Sequence, residues 1–183
     1  MMMNEIIERL YESDAVGEPD QKEEILNKAF LLMIKKIEKN QISPDMAIDV
    51  ALFILTQSFE LMNWTISEAE QFYDVLLGIK KNLPLEWMKV DALTDICMKT
   101  GNYLRGMQFI SDFLDDHQSD YENDESFRIR ALNREALLLN KLGCMEDCIN
   151  ILTLATNLCE SAEDYKPLRV VVQNNLSALE EEL

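Results

Sequence analysis

Residues 129–159 constrain the fold more than any other stretch of the chain. Ile129, Leu132, Ala136 and Leu139 follow one another at steps of three, four and three residues, which puts them on one face of a helix. After a break at Leu142-Gly143-Cys144 the same spacing returns in Cys148, Ile151 or Leu152, Ala155 and Leu158. Gly143 falls where the first helix has to stop, and glycine enters the left-handed conformation that ends a helix without a Cβ clash. Two apolar-faced helices joined by so short a turn fold back on each other, so the unit is a helical hairpin.

The rest of the chain is punctuated in the same manner. Residues 3–12 form a short amphipathic helix with Ile6, Ile7, Leu10 and Tyr11 on one side, followed by a linker over 13–19. This arm reads either as a loosely docked terminal helix or as an element for homodimerisation or partner docking. Asp20 with Glu23 resembles a capping box that opens a helix running to about Asn40, with Ile25, Ala29, Leu32 or Met33, and Ile37 facing inward. Ser43-Pro44 restarts the chain, and the helix over 44–62 is apolar nearly all round from Met46 to Leu55, so it is expected to be covered on more than one side. Trp64 lies in the connection that follows. Ser67 and Glu70 predict a second capping box for a helix over 68–82, with Ala69, Phe72, Tyr73, Leu76 and Ile79 on one face and Pro84 as its stop. Further helices are expected over 85–99, 103–116, 128–141, 145–160 and from about Pro167 to Glu181. No segment alternates β-branched and polar residues, so strands have no candidate and the fold class is all-α. The expected organisation is an N-terminal arm and linker (1–19), N-terminal helical hairpins (20–84), and a C-terminal repeat region with a capping helix (85–183).

Composition narrows the function. Apolar residues make up 48% of the 183, enough for an ordered core. The net charge of −17 argues against nucleic acid and against an anionic membrane surface, both of which need clustered Lys and Arg. A basic protein partner, or plain solubility, fits better. No run approaches the ~18 apolar residues of a membrane span, and Met1-Met2-Met3-Asn4-Glu5 lacks the basic start of a secretory signal, so a cytoplasmic protein is expected. Cys97, Cys144, Cys148 and Cys159 sit in or beside helices and read as free, buried, small hydrophobes. Cys144 and Cys148 supply half a zinc site by spacing, but no second ligand pair matches them, and His117 lies in another segment. Asp120, Glu122 and Asp124 alternate as calcium ligands do, without the glycine that such a loop needs. No metal or cofactor is therefore expected. There is no glycine-rich phosphate loop and no nucleophile flanked by glycines, and a Cys–His pair would have to draw on His117 in an acidic, exposed stretch. The chain does not read as an enzyme.

The hairpin recurs. Gly101 and Gly143 are 42 residues apart, and at that offset Val90 matches Leu132, Cys97 matches Leu139, Gly106 matches Cys148 and Ile110 matches Leu152. On these residues, residues 86–181 resemble the tetratricopeptide-repeat family. Its pattern of close-packed small residues corresponds to Ala136, Cys148 and Ala155 in one unit and to Gly106 in the other. This sequence departs from the pattern in having no aromatic at the first position, Glu135 where Leu is expected, Phe113 where a small residue is expected, and a step longer than the usual 34 residues.

The resemblance implies stacked antiparallel hairpins in a right-handed superhelix, with the first helices lining a concave groove. It places Met88, Asp91, Asp95 and Lys99 in that groove from one unit. The next unit adds Arg130, Asn133, Arg134, Leu137, Asn140 and Lys141, and the last helix adds Gln173, Asn174 and Ser177. The helix over 128–141 carries Arg128, Arg130, Arg134 and Lys141 against the single acid Glu135, unexpected in so acidic a chain. Arginine and asparagine on one face suit a peptide's carboxylates and backbone. The competing expectation is that these arginines pair with the acids of 115–125. The functional expectation is a non-catalytic adaptor or chaperone that holds another protein's segment in the groove. Bacterial secretion chaperones of the tetratricopeptide type are similar in build, and the chain's ten methionines suit an adaptable apolar partner. The alternative is an acidic neutralising, immunity or regulatory protein that covers a basic partner with its charged surface.

Overall fold

The computed structural model describes residues 64–118, 125–160 and 163–180, together with 24–25, 28, 31–36, 39, 41–43 and 45–46. All of its regular elements among the described residues are helical. The chain forms two compact units, one of Met1–Trp64 with Asp74–Lys81, the other of Thr65–Tyr73 with Asn82–Leu183. The expectations for the arm over 3–12, the linker over 13–19, the Asp20–Glu23 cap, the interior of the 44–62 helix, and Asp120, Glu122 and Asp124 fall outside the described residues.

In the first unit, residues 31–36 are helical and Met33 is buried. Ser43 Oγ accepts the N–H of Met46 at 3.3 Å, the bond expected of a capping serine. Lys80 Nζ pairs with Asp45 Oδ1 at 2.7 Å; both side chains are largely exposed, so the pair adds little stability.

The helices with continuous description are α1 (Ile66–Ile79), α2 (Leu83–Thr100), α3 (Tyr103–Asp116), α4 (Ser126–Leu142), α5 (Met145–Cys159) and α6 (Lys166–Glu180), with a 3-10 turn at Glu163–Tyr165 before α6. Two of the expected boundary signals are misplaced, one start and one stop. The capping box of α1 is Thr65 with Glu68, not Ser67 with Glu70: Thr65 N–H donates to Glu68 Oε2 at 2.8 Å, and Glu68 N–H donates back to Thr65 Oγ1 at 3.3 Å. The bonds from Thr65 hold the Glu68 carboxyl below its ordinary pKa. Pro84 opens α2 rather than closing α1. Asn82 caps α2 by accepting the N–H of Leu85 at 2.9 Å, and proline is tolerated in the first turn because its missing donor would have no helical partner.

Within the second unit each helix from α2 to α6 packs on the next, and α2 also touches α4 as α4 touches α6. The 42-residue step is present in the backbone hydrogen bonds. Gly101 and Gly143 both take positive φ, 75° and 78°, at the ends of α2 and α4. Asn102 N–H reaches Cys97 O at 2.9 Å, and its counterpart Cys144 N–H reaches Leu139 O at 2.9 Å. Burial follows the same step: Gly106, Ile110 and Phe113 on α3 match Cys148, Leu152 and Ala155 on α5, all buried. Gly106 is required by close approach, since a Cβ there would stand 3.0 Å from Leu138 Cδ2 and 3.2 Å from Cys97 Cβ. In the second hairpin the side chain of Cys148 fits, and its thiol donates to the Ala136 carbonyl at 3.0 Å.

α4 is the wall shared by two cores. Ile129, Leu132 and Ala136 pack with α5 and α6, and partly buried Leu139 joins them. Ala131 and Leu138 point to the other side, against Trp87, Ile110 and Phe113 of α2 and α3. A fully buried Leu or Ile side chain is worth about 1.5–3 kcal/mol, so losing either stripe would remove a large part of the unit's stability. The four cysteines are free thiols; Cys97, Cys148 and Cys159 are buried, and burial pushes their pKa up. No helix among the described residues is long and apolar enough to cross a membrane.

Candidate functional site

α2, α4 and α6 present successive positions of the repeat side by side. Trp87, Ile129 and Val171 are one such row at steps of 42, and Asp91, Asn133 and Asn175 are another. A pocket of about 230 Å³ opens among these helices, lined by Trp87, Asp91, Ile129, Arg130, Asn133, Arg134, Leu168, Val171 and Val172. Its apolar part comes from Trp87, Ile129, Leu168 and the two valines. Trp87 is itself held by Phe113, ring centroids 5.4 Å apart.

The polar part is built around Arg134. Arg134 Nε donates to Asp91 Oδ1 at 2.6 Å, and a second guanidinium nitrogen lies 2.8 Å from Asp95 Oδ1. Burial works against the charge on Arg134, but the hydrogen bonds and charges of Asp91 and Asp95 outweigh it and raise its pKa. Burial, helped by the charge of Asp91, raises the pKa of Asp95, although Arg134 and Lys99 pull it the other way. Tyr73 is buried, and burial with the charge of Asp91 pushes its phenol well above the ordinary value. Asn175 Nδ2 donates to Asn133 Oδ1 at 2.8 Å, tying α6 to α4.

Of the residues expected to form the inner wall, Asp91, Arg130, Asn133 and Arg134 lie together in the pocket, with Asp95 joined to it through Arg134. Met88, Leu137 and Asn140 are half-buried outside the lining. Lys99 and Lys141 are exposed in the last turns of α2 and α4. Asn174 and Ser177 are exposed on α6 and Gln173 is half-buried, none of them in the lining. α6 contributes Leu168, Val171 and Val172 instead, with Asn175 beneath them. The 42-residue step from Trp87 and Ile129 to Val171 was the available signal for this row.

Among the described residues of 115–125, the expected pairing with the α4 arginines is present at Glu125, which lies 3.5 Å from Arg128. Arg134 is instead neutralised by α2. Arg130 is exposed and has no ion-pair partner among the described residues. His117 is also not exposed as expected. Its Nε2 lies 2.6 Å from Glu86 Oε2, with both side chains about 15% exposed, and its ring packs on Phe113.

Compared with known proteins, the chain matches no family model, no curated protein and no solved structure.

Proposed function

We propose that this chain is a non-catalytic interaction protein of tetratricopeptide-like build, with α2/α3 and α4/α5 as two units of a right-handed superhelix and α6 as its cap. In this reading the inner wall of α2, α4 and α6 holds a segment of a partner protein, as an adaptor or chaperone does. One observation carries it. The pocket lining keeps Arg130 and Val171 open to solvent, while Trp87, Ile129 and Val172 in the same lining are buried. Val171 is 50% exposed within the lining, which it shares with half-buried Leu168 and exposed Arg130.

The buried thiols of Cys97, Cys148 and Cys159 lend no support to catalysis, because burial disfavours their reactive thiolate form. Affinity purification from the source cell tests the reading with wild type and an Arg130→Ala/Val171→Asp pair. Arg134 is left intact because it holds α2 to α4. Loss of specific partners at unchanged helical circular dichroism is the expected result. Retention of every partner would remove the inner wall as the contact surface. Steep loss of capture with added salt would favour the acidic outer surface and a basic partner instead.

A further inference from the structure

The pocket's charges do not follow those of the chain. Asp91 and Asp95 carry two negative charges, and Arg134 and Lys99 act on them with two positive ones. Arg130 is left over, so the pocket is cationic by one charge in a molecule of net −17. The other charges of the lining, Asp91 and Arg134, pair with each other, and the rest of the lining is apolar apart from the Asn133 amide. Asn133 Oδ1 is occupied by Asn175, while the Asn133 side-chain N–H groups have no acceptor among the described residues.

We propose that this pocket selects a peptide segment in which a single acidic side chain lies next to bulky aliphatic ones. The acid meets Arg130, the aliphatic side chains cover Leu168 and Val171, and the Asn133 amide donates to a peptide carbonyl. The inference rests on the groove reading above and adds its selectivity. A volume of about 230 Å³ takes one or two aliphatic side chains and is smaller than the ~300–1,000 Å³ of pockets that enclose small molecules. A single acid is favoured over an acidic tract. At physiological salt the chain's distant acids are screened beyond about 8 Å, but they repel a tract that extends past the pocket. A charge-assisted bond to a guanidinium is short-ranged and survives that field.

Methyl-labelled full-length protein is titrated with the acetylated and amidated heptapeptide Gly-Ser-Glu-Leu-Leu-Ser-Gly. Companion peptides carry Gln or Lys for Glu, or Ser for both Leu. The parent peptide is expected to shift the methyls of Ile129, Leu168, Val171 and Val172 while leaving exposed Leu104 unmoved. The Gln peptide is expected to bind about tenfold more weakly, and the Lys peptide more weakly still. Arg130→Gln is expected to weaken the parent about tenfold while hardly changing the Gln peptide, the coupling that marks a direct contact. Equal binding of the Glu, Gln and Lys peptides, with pocket methyls moving, would overturn the acid selectivity and leave the groove reading intact. Pocket methyls that move with none of the peptides would overturn both. Tighter displacement of the same methyls by octanoate than by the parent peptide would assign the site to a small carboxylate.

Discussion

The two hairpins, α2/α3 and α4/α5, are the same object in their cores and different objects on their inner faces. Their turns use the same hydrogen bonds at the same offset, and Ile110 and Leu152 are fully buried at matching positions. Where the helices come closest, one uses glycine and the other cysteine. At the pocket the first hairpin offers Asp91 and, through Arg134, Asp95, whereas the second offers Arg130, Asn133 and Arg134. The two hairpins therefore share their core positions and differ in the residues they bring to the pocket. Part of that variation is structural: Arg134 exists to meet α2's acids, which joins adjacent units through a half-buried ion pair. What is left after that pairing is Arg130 and exposed Val171 in the pocket lining.

The comparison breaks most readily at its core. Ile110→Ala and Leu152→Ala should each lose about 2–5 kcal/mol in urea unfolding, because each empties a fully buried site packed against one stripe of α4. If one is nearly neutral while the other is severe, the two hairpins are not equivalent. The close-approach positions should both lose stability on being exchanged, but unequally. Gly106→Cys, which makes the first hairpin copy the second, should cost about 1–3 kcal/mol by forcing Leu138 and Cys97 apart. Cys148→Gly should cost less than this, about 1 kcal/mol from helix propensity plus the lost thiol contact. Gly101→Ala and Gly143→Ala should each lose about 1–2 kcal/mol, since both place a Cβ in the left-handed region. A similar loss at the two sites is the expected result, and calorimetry reads it directly.

The smallest effect is expected at Glu135, where the first hairpin has buried Leu93. Glu135 is half-buried, and burial raises its pKa above the ordinary glutamate value. The folded chain thus binds this proton more firmly than the unfolded one. The group favours folding below its unfolded pKa and loses that contribution as pH rises through the folded value. Glu135→Gln should therefore raise the melting midpoint at pH 7 by no more than about 2–4 °C, the shift that one kcal/mol gives in a chain of this length. The gain should vanish on acidification towards the unfolded carboxylate range. A midpoint difference that grows on acidification would reverse the assignment.

How far these features could be read from sequence depended on how local they are. The bounds of α3, the helix-ending glycines and the small residue at Gly106 follow from spacing within one hairpin. The start of α1 did not, because Thr65-x-x-Glu68 and Ser67-x-x-Glu70 are both capping boxes, and only packing decides between them. The second stripe of α4, Ala131 and Leu138, was missed because a helix between two layers buries two faces, and a search for one apolar face finds only the stronger. Trp87 and Val171 were missed at the pocket for a related reason. An apolar residue in a helical pattern is assigned to the core; Trp87 is indeed buried while lining the pocket, whereas Val171 is half exposed there. His117 was read from its acidic neighbours along the chain, whereas its burial comes from Glu86 and Phe113 on other turns.

Site-directed photocrosslinking in the source cell tests the central claim most directly. A photoreactive amino acid is placed once at Val171, inside the pocket, and once at Leu104, which is 75% exposed on α3 and outside it. Crosslinks to partner segments from position 171 and none from position 104 are predicted. Equal crosslinking at both, or crosslinking from position 104 alone, would contradict an inner wall that holds the partner.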